Sequence, residues 1–384
     1  MSDDAVGWTG PLAGLRVVEF SAIGPAPMAG MHLADMGADV IVVDRATDVS
    51  ARNATLSGRR GKRSIALDLK DPGAMKLVWR LLESADILIE GFRPGVMERL
   101  GLGPDAVALR NARLVYGRVT GWGQTGPLAQ AAGHDINYVA LTGALSTACR
   151  PGELPVLPPT LVGDMGGGAM FLLFGLMCAL HEARRSGRGQ VVDAAMIDGV
   201  AALSGLVHQM RGIGYWRDDP AQNFFLNSSP FYEVFMCADG KSISLGAIEP
   251  QFYAELLGRL GLDDVDPKRQ YETKDWPALK LRVAQRVASK TRSEWVALLE
   301  GSDACFAPVL DFDEAAAHPH NVARELFVTV DGKRQPAPAP RQSRTPARRP
   351  TAGIRIGEHS DAILNELGIG AQAIALLRDR GAVA

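Results

Sequence analysis

Three separate segments of the sequence carry side chains that can exchange protons. His134 lies in the segment Ala132–Tyr138, and Asp164 lies farther along the chain, shortly before a run of three glycines. An imidazole and a carboxyl group placed close together can remove and return one proton. Glu249, at a predicted strand end, adds a carboxylate that can hold an imidazole in one tautomer and orientation. Together the three side chains predict proton transfer at a carbon atom.

Each of these side chains also has a common structural explanation when it is considered alone. Asp164 is predicted to be the N-cap of a helix, and Asp135 is a second predicted helix cap. In these alternatives His134 belongs to a structural loop and Glu249 to a solvent-facing turn. Gly166–Gly168 favour a functional site, because each glycine costs a helix about 1 kcal/mol relative to alanine and exposes backbone N–H groups. We expect those N–H groups to face the oxygen of a developing enolate.

The composition indicates an ordinary globular protein that is long enough for two domains. The chain has 384 residues, of which 47% are hydrophobic and 22% are charged. Its formal net charge of −2 provides no overall field that would attract nucleic acid. The four cysteines are widely separated and form no zinc-type cluster, which predicts a reducing compartment and no metal.

The N-terminus and the apolar runs predict a cytoplasmic protein that does not enter a membrane. Residues 1–8 lack the basic and apolar blocks of a signal peptide. The longest apolar run, Ala169–Leu180, is shorter than the stretch of about 20 residues that a membrane-spanning helix needs.

The first half of the sequence alternates predicted strands and helices. Apolar runs predict strands at Leu15–Phe20, Asp39–Val43, Asp86–Glu90, Leu114–Val119 and Gln190–Ala194. This alternation predicts an α/β fold with a large, Rossmann-like domain built on a parallel sheet. The turn after the first strand, Ser21–Pro27, contains no G-x-G-x-x-G motif, which argues against a dinucleotide site.

The rest of the chain predicts a second, smaller α+β domain and a return to the first. A β-hairpin is predicted at Phe231–Ala247, and residues 332–353 are rich in proline and arginine. The predicted parts are a large domain at residues 1–210, a linker at 211–229, a small domain at 230–325, a proline-rich return at 326–354 and C-terminal helices at 355–384 that rejoin the large domain.

Basic side chains near the predicted strand ends are candidates for binding phosphate. Arginine binds phosphate groups through paired hydrogen bonds. The candidates are Arg45, the cluster Arg59–Arg63 that includes Lys62, Arg93 and Arg99. The motifs G-x-S-x-G and H-E-x-x-H are absent from the sequence, which argues against the common serine and zinc hydrolases.

Four motifs resemble those of the family III CoA-transferases. They are Gly14–Glu19, Ala34–Val40, Gly91–Gly95 and Thr120–Pro127, and the resemblance covers nearly the whole chain. Within this family, the segments that look like the racemases of 2-methylacyl-CoA thioesters are Gly133–Tyr138, Val162–Asp164 and Gly246–Tyr253. The resemblance implies an interlocked homodimer that takes an acyl-CoA substrate and needs no cofactor.

The resemblance also implies roles for the candidate residues. His134 and Asp164 become the two acid/base groups on opposite faces of the substrate Cα, and Glu249 becomes the carboxylate that orients His134. The implied CoA contacts are Ile23, Arg45, Lys62, Arg93 and Arg99. We therefore expect a racemase that works by two-base proton transfer through an enolate.

Two alternatives remain open on the sequence alone. In the transferase branch of the family, the residue that matches Asp164 is a nucleophile that forms an acyl anhydride, and such an enzyme moves CoA between carboxylic acids. The other alternative is a relative that binds acyl-CoA without catalysis. The chain also departs from the racemases at Phe225–Pro230, where their usual Leu-Asp-Gly-Gly-Ala-Pro is replaced. If this loop lines the acyl pocket, Leu226, Asn227 and Ser228 would change the substrate range.

Overall fold

The computed structural model describes residues 9–49 and 58–384, so the expectation about a signal peptide at residues 1–8 lies outside the described residues. The chain divides into two compact units. The first unit is Met1–Thr142, Pro158–Leu203 and Glu325–Ala384, and the second is Gly143–Leu157 and Ser204–Arg324. The second unit is therefore inserted between parts of the first.

The described part of the first unit contains a parallel sheet of six strands in the order β3-β2-β1-β4-β5-β6. The strands are β1 (Arg16–Phe20), β2 (Asp39–Arg45), β3 (Arg63–Leu67), β4 (Ile87–Glu90), β5 (Val115–Thr120) and β6 (Val191–Ala195). The strand order reverses between β1 and β4, as in doubly wound sheets. The predicted parallel sheet is confirmed. The sequence analysis missed β3, because this strand begins inside the basic cluster.

Helices cover both faces of this sheet. In the described part of the first unit up to residue 203, the α-helices are α1 (Pro25–Asp35), α2 (Pro72–Glu83), α3 (Val96–Arg99), α4 (Pro104–Arg110), α5 (Asp135–Leu141), α6 (Phe171–Ser186) and α7 (Met196–Leu203). Val18 and Phe20 of β1 join an apolar core with α2, whereas Val17 joins a second core with α1 and α6. Burial on both faces explains why the strands are continuous apolar runs in the sequence.

A π-helical segment, Leu161–Met170, runs directly into α6. Because the helix begins before Asp164, the prediction that Asp164 is its N-cap is wrong. The combined helix Leu161–Ser186 is long and apolar enough to cross a membrane by length and composition alone, a test that a buried core helix also passes. Leu172 and Leu176 pack one side of this helix onto the sheet.

The second unit combines a small antiparallel sheet with helices. Its elements are α8 (Gly205–Gly212), β7 (Tyr232–Met236), β8 (Ser242–Gly246), α9 (Pro250–Leu260), α10 (Trp276–Val287), α11 (Arg292–Leu299), β9 (Phe306–Pro308), α12 (Phe312–Ala317) and α13 (Pro319–Ala323). The strands β7 and β8 form the predicted hairpin, and β9 pairs with β8 as a third strand. Phe231, Trp276 and Trp295 lie in the apolar core of this unit.

The chain re-enters the first unit through a short hairpin. Its strands are β10 (Phe327–Val330) and β11 (Lys333–Pro336), and the helices α14 (Ser360–Glu366) and α15 (Ala371–Asp379) follow. Leu67 of β3 then forms an antiparallel bridge with Val383. The C-terminal residues therefore complete the edge of the first unit's sheet.

Candidate active site

A cavity of about 360 Å³ opens where β1, β4 and β5 end. The loops that border it are Ile23–Pro25 after β1, Gly91–Pro94 after β4 and Thr120–Trp122 at the end of β5. His134 and Asp164 line the same cavity. Doubly wound sheets bind ligands at this place, beside the point at which the strand order reverses. The fold thus brings the two predicted acid/base residues together at the usual ligand-binding edge.

His134 immediately precedes α5, and its backbone is fixed by that helix. The N–H group of His134 donates to Asn137 Oδ1 at 3.0 Å, and its carbonyl accepts from the N–H group of Asn137 at 2.8 Å. The His134 side chain is exposed and borders the cavity. His134 is the N-cap residue of α5, and a capping box with Asn137 holds it there. Because His134 is exposed and borders the cavity, a substrate in the cavity can reach it.

Asp164 lies in the first turn of the π-helical segment, and its backbone is also fixed. Its N–H group donates to Asp135 Oδ1 at 2.7 Å. Partial burial raises the pKa of the Asp164 carboxyl, the negative charge of Asp135 raises it further, and His134 opposes the rise. A carboxyl group with a raised pKa can both donate and accept a proton closer to neutral pH.

Two of the glycines that follow Asp164 lie in close packing contacts, and the predicted role of Gly166–Gly168 toward an enolate stays a prediction. Gly167 and Gly168 are buried inside the first unit. A Cβ atom at Gly167 would lie 2.8 Å from the carbonyl oxygen of Met196, and one at Gly168 would lie 3.0 Å from Cβ of Pro25. These glycines therefore let α7 and α1 approach the π-helical segment closely.

Tyr138, which sequence analysis did not single out, lines the cavity between two glycines. A Cβ atom at Gly121 would lie 2.1 Å from the Tyr138 ring, and one at Gly133 would lie 2.8 Å from it. The Tyr138 hydroxyl donates to the carbonyl oxygen of Gly133, and the Trp122 ring packs edge-on against Tyr138 with ring centroids 4.8 Å apart. The ring thus supports the backbone that leads into His134. The available sequence signal was that each of the motifs Thr120–Pro127 and Gly133–Tyr138 combines an aromatic residue with a glycine.

Four of the candidate CoA contacts are exposed. Ile23 is 95% exposed and, like Arg93, borders the cavity. Arg45 is exposed at the end of β2, and Arg99 is exposed at the end of α3. In the described part of the chain, none of these three guanidinium groups forms an ion pair. They are therefore available to phosphate groups of a ligand.

Lys62 does not fit the predicted contact with phosphate. Its side chain is 0% exposed, and Nζ lies 2.6 Å from Glu19 Oε2 and 2.8 Å from the carbonyl oxygen of Pro27. Burial raises the pKa of Glu19 and lowers the pKa of Lys62. Within the same cluster, Arg59 forms an ion pair with Asp44 at 2.6 Å. The basic cluster thus forms internal ion pairs that hold the sheet edge, which the sequence alone did not reveal.

Glu249 belongs to the second unit, where it lies between β8 and α9 as the sequence predicts. It is the exposed N-cap residue of α9, and its charge contributes to a raised pKa of Tyr271 after the larger effect of burial. Its predicted role toward His134 stays a prediction.

The loop that departs from the racemase motif is held by its own unit. Leu226 is 3% exposed, so its side chain belongs to the interior of the second unit. Asn227 has a left-handed backbone with a φ of 56°, and its amide donates to Glu233 Oε1 at 3.0 Å. Lys280 binds the same glutamate at 2.6 Å and also donates to the Asn227 carbonyl. Leu226 therefore does not line an open pocket in its own unit.

Comparison with known proteins gives one consistent family. The sequence model described as CoA-transferase family III matches residues 12–360. The chain is 44% identical to alpha-methylacyl-CoA racemase of Mus musculus over 95% of this chain and 96% of that protein, and 42% identical to the Homo sapiens racemase over 94% and 95%. A crystal structure of a CaiB/BaiF family protein from Brucella suis superimposes with a TM-score of 0.80 at 25% identity, covering 94% of this chain and all of that one.

Proposed function

This chain belongs to CoA-transferase family III, and within that family we propose that it is a racemase of 2-methylacyl-CoA thioesters. The observation that carries the proposal is that His134 and Asp164 line one cavity at the ligand-binding edge of the sheet. Relatives with 44% and 42% identity over nearly the whole chain bear the name of this activity. The enzyme is accordingly an isomerase that acts on an acyl-CoA.

The reaction removes the proton on one face of the substrate Cα and delivers another proton to the opposite face. The thioester makes the α-proton acidic, and for one enantiomer neutral His134 removes it, which leaves an enolate. Asp164, entering in its protonated form, returns a proton to the opposite face. For the other enantiomer the roles exchange, because Asp164 is then ionised and His134 protonated. The raised pKa of Asp164 supports this mechanism, since it brings the carboxyl closer to the proton affinity of an imidazole.

We propose that Arg45, Arg93 and Arg99 bind the CoA part of the substrate. All three are exposed, and Arg93 borders the cavity that contains the acid/base pair. Their planar guanidinium groups suit phosphate oxygens, which accept paired hydrogen bonds. Ile23 adds an apolar contact at the mouth of the cavity. The buried Lys62 is left out of this set.

We further propose a homodimer, in which the second unit of one protomer supplies Glu249 to His134 of its partner. An exposed apolar surface on the first unit supports the assembly: Met170 is 52% exposed and Phe174, one helical turn away, is 69% exposed. Leu203 on α7 is 53% exposed. Large apolar side chains exposed together on a helix usually mark an interaction surface.

The racemase proposal is tested by following the α-proton signal in NMR spectra of each 2-methylacyl-CoA enantiomer in D2O, without an acceptor acid. We expect deuterium to enter and both enantiomers to accumulate. His134→Gln and Asp164→Asn should each slow racemisation by about 10²- to 10⁴-fold, whereas His181→Gln, at an exposed histidine of α6, should not.

The same experiment separates racemisation from CoA transfer. If no deuterium enters until a free carboxylic acid is added, and a new CoA ester then forms, Asp164 acts as a nucleophile and the racemase proposal fails. The presence of His134 beside Asp164 in the lining of the cavity favours racemisation, because an anhydride mechanism needs no second base.

A further inference from the structure

Asp135 is a buried carboxylate that the proposed reaction does not yet use. It is 9% exposed and directly follows His134 in the chain. Its one hydrogen bond among the described residues is the contact of Oδ1 with the N–H group of Asp164 at 2.7 Å, and no cation there forms an ion pair with it. Sequence analysis predicted a helix cap, but His134 holds the N-cap position of α5. A buried carboxylate without a cation is costly, so its place beside Asp164 needs an explanation.

Gly163 makes the contact between Asp135 and Asp164 possible. A Cβ atom at Gly163 would lie 2.6 Å from Asp135 Oδ1 and 3.0 Å from its Cγ. Any larger residue at position 163 would therefore push the carboxylate away from the Asp164 N–H group. The missing side chain of Gly163 and the carboxylate of Asp135 fit each other.

This contact ties the two acid/base groups to each other. His134 and Asp135 are neighbours in the chain, and the Asp135 side chain reaches across to the backbone of Asp164. We propose that Asp135 is a positioning residue, whose carboxylate holds the Asp164 backbone and fixes Asp164 relative to His134. After the larger effect of burial, the charge of Asp135 also raises the pKa of the Asp164 carboxyl. The inference rests on the proposed two-base reaction, for which Asp164 must carry a proton in one direction.

The other groups around Asp164 do not add a negative charge that would favour its protonated form. From α5, His134 acts on the Asp164 pKa in the opposite sense, and Tyr138 lies close enough for Asp164 to raise the tyrosine's own pKa after the larger effect of burial. From α1 and α7, the neighbours that pack on the π-helical segment include Pro25 and Met196, which carry no charge. Arg93 borders the same cavity. Burial is the larger cause of the raised Asp164 pKa, and among the described residues Asp135 is the group whose charge adds to it.

The test is the pH profile of kcat/KM for racemisation in the Asp135→Asn variant of the full chain. The amide oxygen can still accept from the Asp164 N–H group, but the charge is gone. We expect the profile to move to lower pH and the rate at neutral pH to fall about tenfold. Asp105→Asn, which removes an exposed charge on α4 outside the cavity, should leave the profile unchanged.

A second variant, at Gly163, tests the same contact between the Asp135 carboxylate and the Asp164 N–H group without changing Asp135. Gly163→Ala should displace the Asp135 carboxylate and move the profile in the same direction, with Asp135 still present. If both variants lose activity but keep the wild-type profile, Asp135 has only a structural role and the inference is overturned. If either variant keeps both the rate and the profile, the contact is not used. Wild-type protein that exchanges no α-proton would instead contradict the proposed function itself.

Discussion

Replacing Gly30 by alanine should destabilise the protein, although the replacement of a glycine inside a helix by alanine usually stabilises it. Gly30 lies in α1 above the buried ion pair of Lys62 and Glu19, whose side chains are 0% and 2% exposed. A Cβ atom at Gly30 would lie 1.8 Å from Glu19 Oε2 and 3.0 Å from Lys62 Nζ. Alanine gains about 1 kcal/mol of helix propensity, but separating a buried pair costs about 3–5 kcal/mol, which leaves a net loss of about 2–4 kcal/mol.

Urea denaturation of the variant and of two matched controls measures this loss. Gly258→Ala, at an exposed position of α9 with no atom within 4 Å of the added Cβ, should stabilise by about 1 kcal/mol. In the background Glu19→Ala/Lys62→Met, Gly30→Ala should also stabilise, because no ion pair remains to be separated. A Gly30→Ala protein that is as stable as wild type would refute the argument, since the pair could then shift at no cost.

Three further outcomes can be checked on the site and the assembly. Arg93→Ala should raise KM for the acyl-CoA about tenfold in steady-state assays, because a hydrogen bond to a charged group is lost, and kcat should change little. Tyr138→Phe keeps the ring but loses the hydrogen bond to Gly133, so racemisation should fall about fivefold while circular dichroism stays that of wild type. Phe174→Glu should shift light scattering from dimer to monomer, whereas Leu109→Glu, at a residue 89% exposed on α4, should not.

The parallel sheet could be predicted because its strands are buried on both faces. Such strands are short apolar runs, and β1 and β4 were located to within a residue at each end for that reason. β3 was not predicted, because it begins with Arg63 at the end of a basic cluster and its apolar run is short. In the structure Arg63 forms an ion pair with Asp39 of β2. The acidic residues that form ion pairs with this cluster are distant from it in sequence. For that reason the sequence alone predicted that the basic side chains were free to bind phosphate.

The candidate acid/base residues could be predicted more readily than the residues that hold them in place. His134 and Asp164 follow from residue type and from the resemblance, and the fold brings them to one cavity. The side chains that hold them, Asp135 and Tyr138, act through contacts with Gly163 and Gly133 that no local pattern specifies. The π-helical segment around Asp164 packs closely against α7 at Gly167, a contact between distant parts of the sequence, and the sequence suggested an ordinary helix start.

The path of the chain sets an order in which the nascent protein can fold on the ribosome. β3 is an edge strand, and its outer side is closed by residues near position 383: the N–H group of Ala384 donates to the carbonyl of Ala66 at 3.0 Å, and Val383 is 2% exposed. These residues emerge only after the whole of the second unit has been synthesised. The second unit can therefore fold first. Until the C-terminal residues are made, the outer edge of β3 is uncovered, and its backbone groups can pair with strands of other chains. Slow translation beyond residue 325 would prolong that exposure and favour aggregation over assembly.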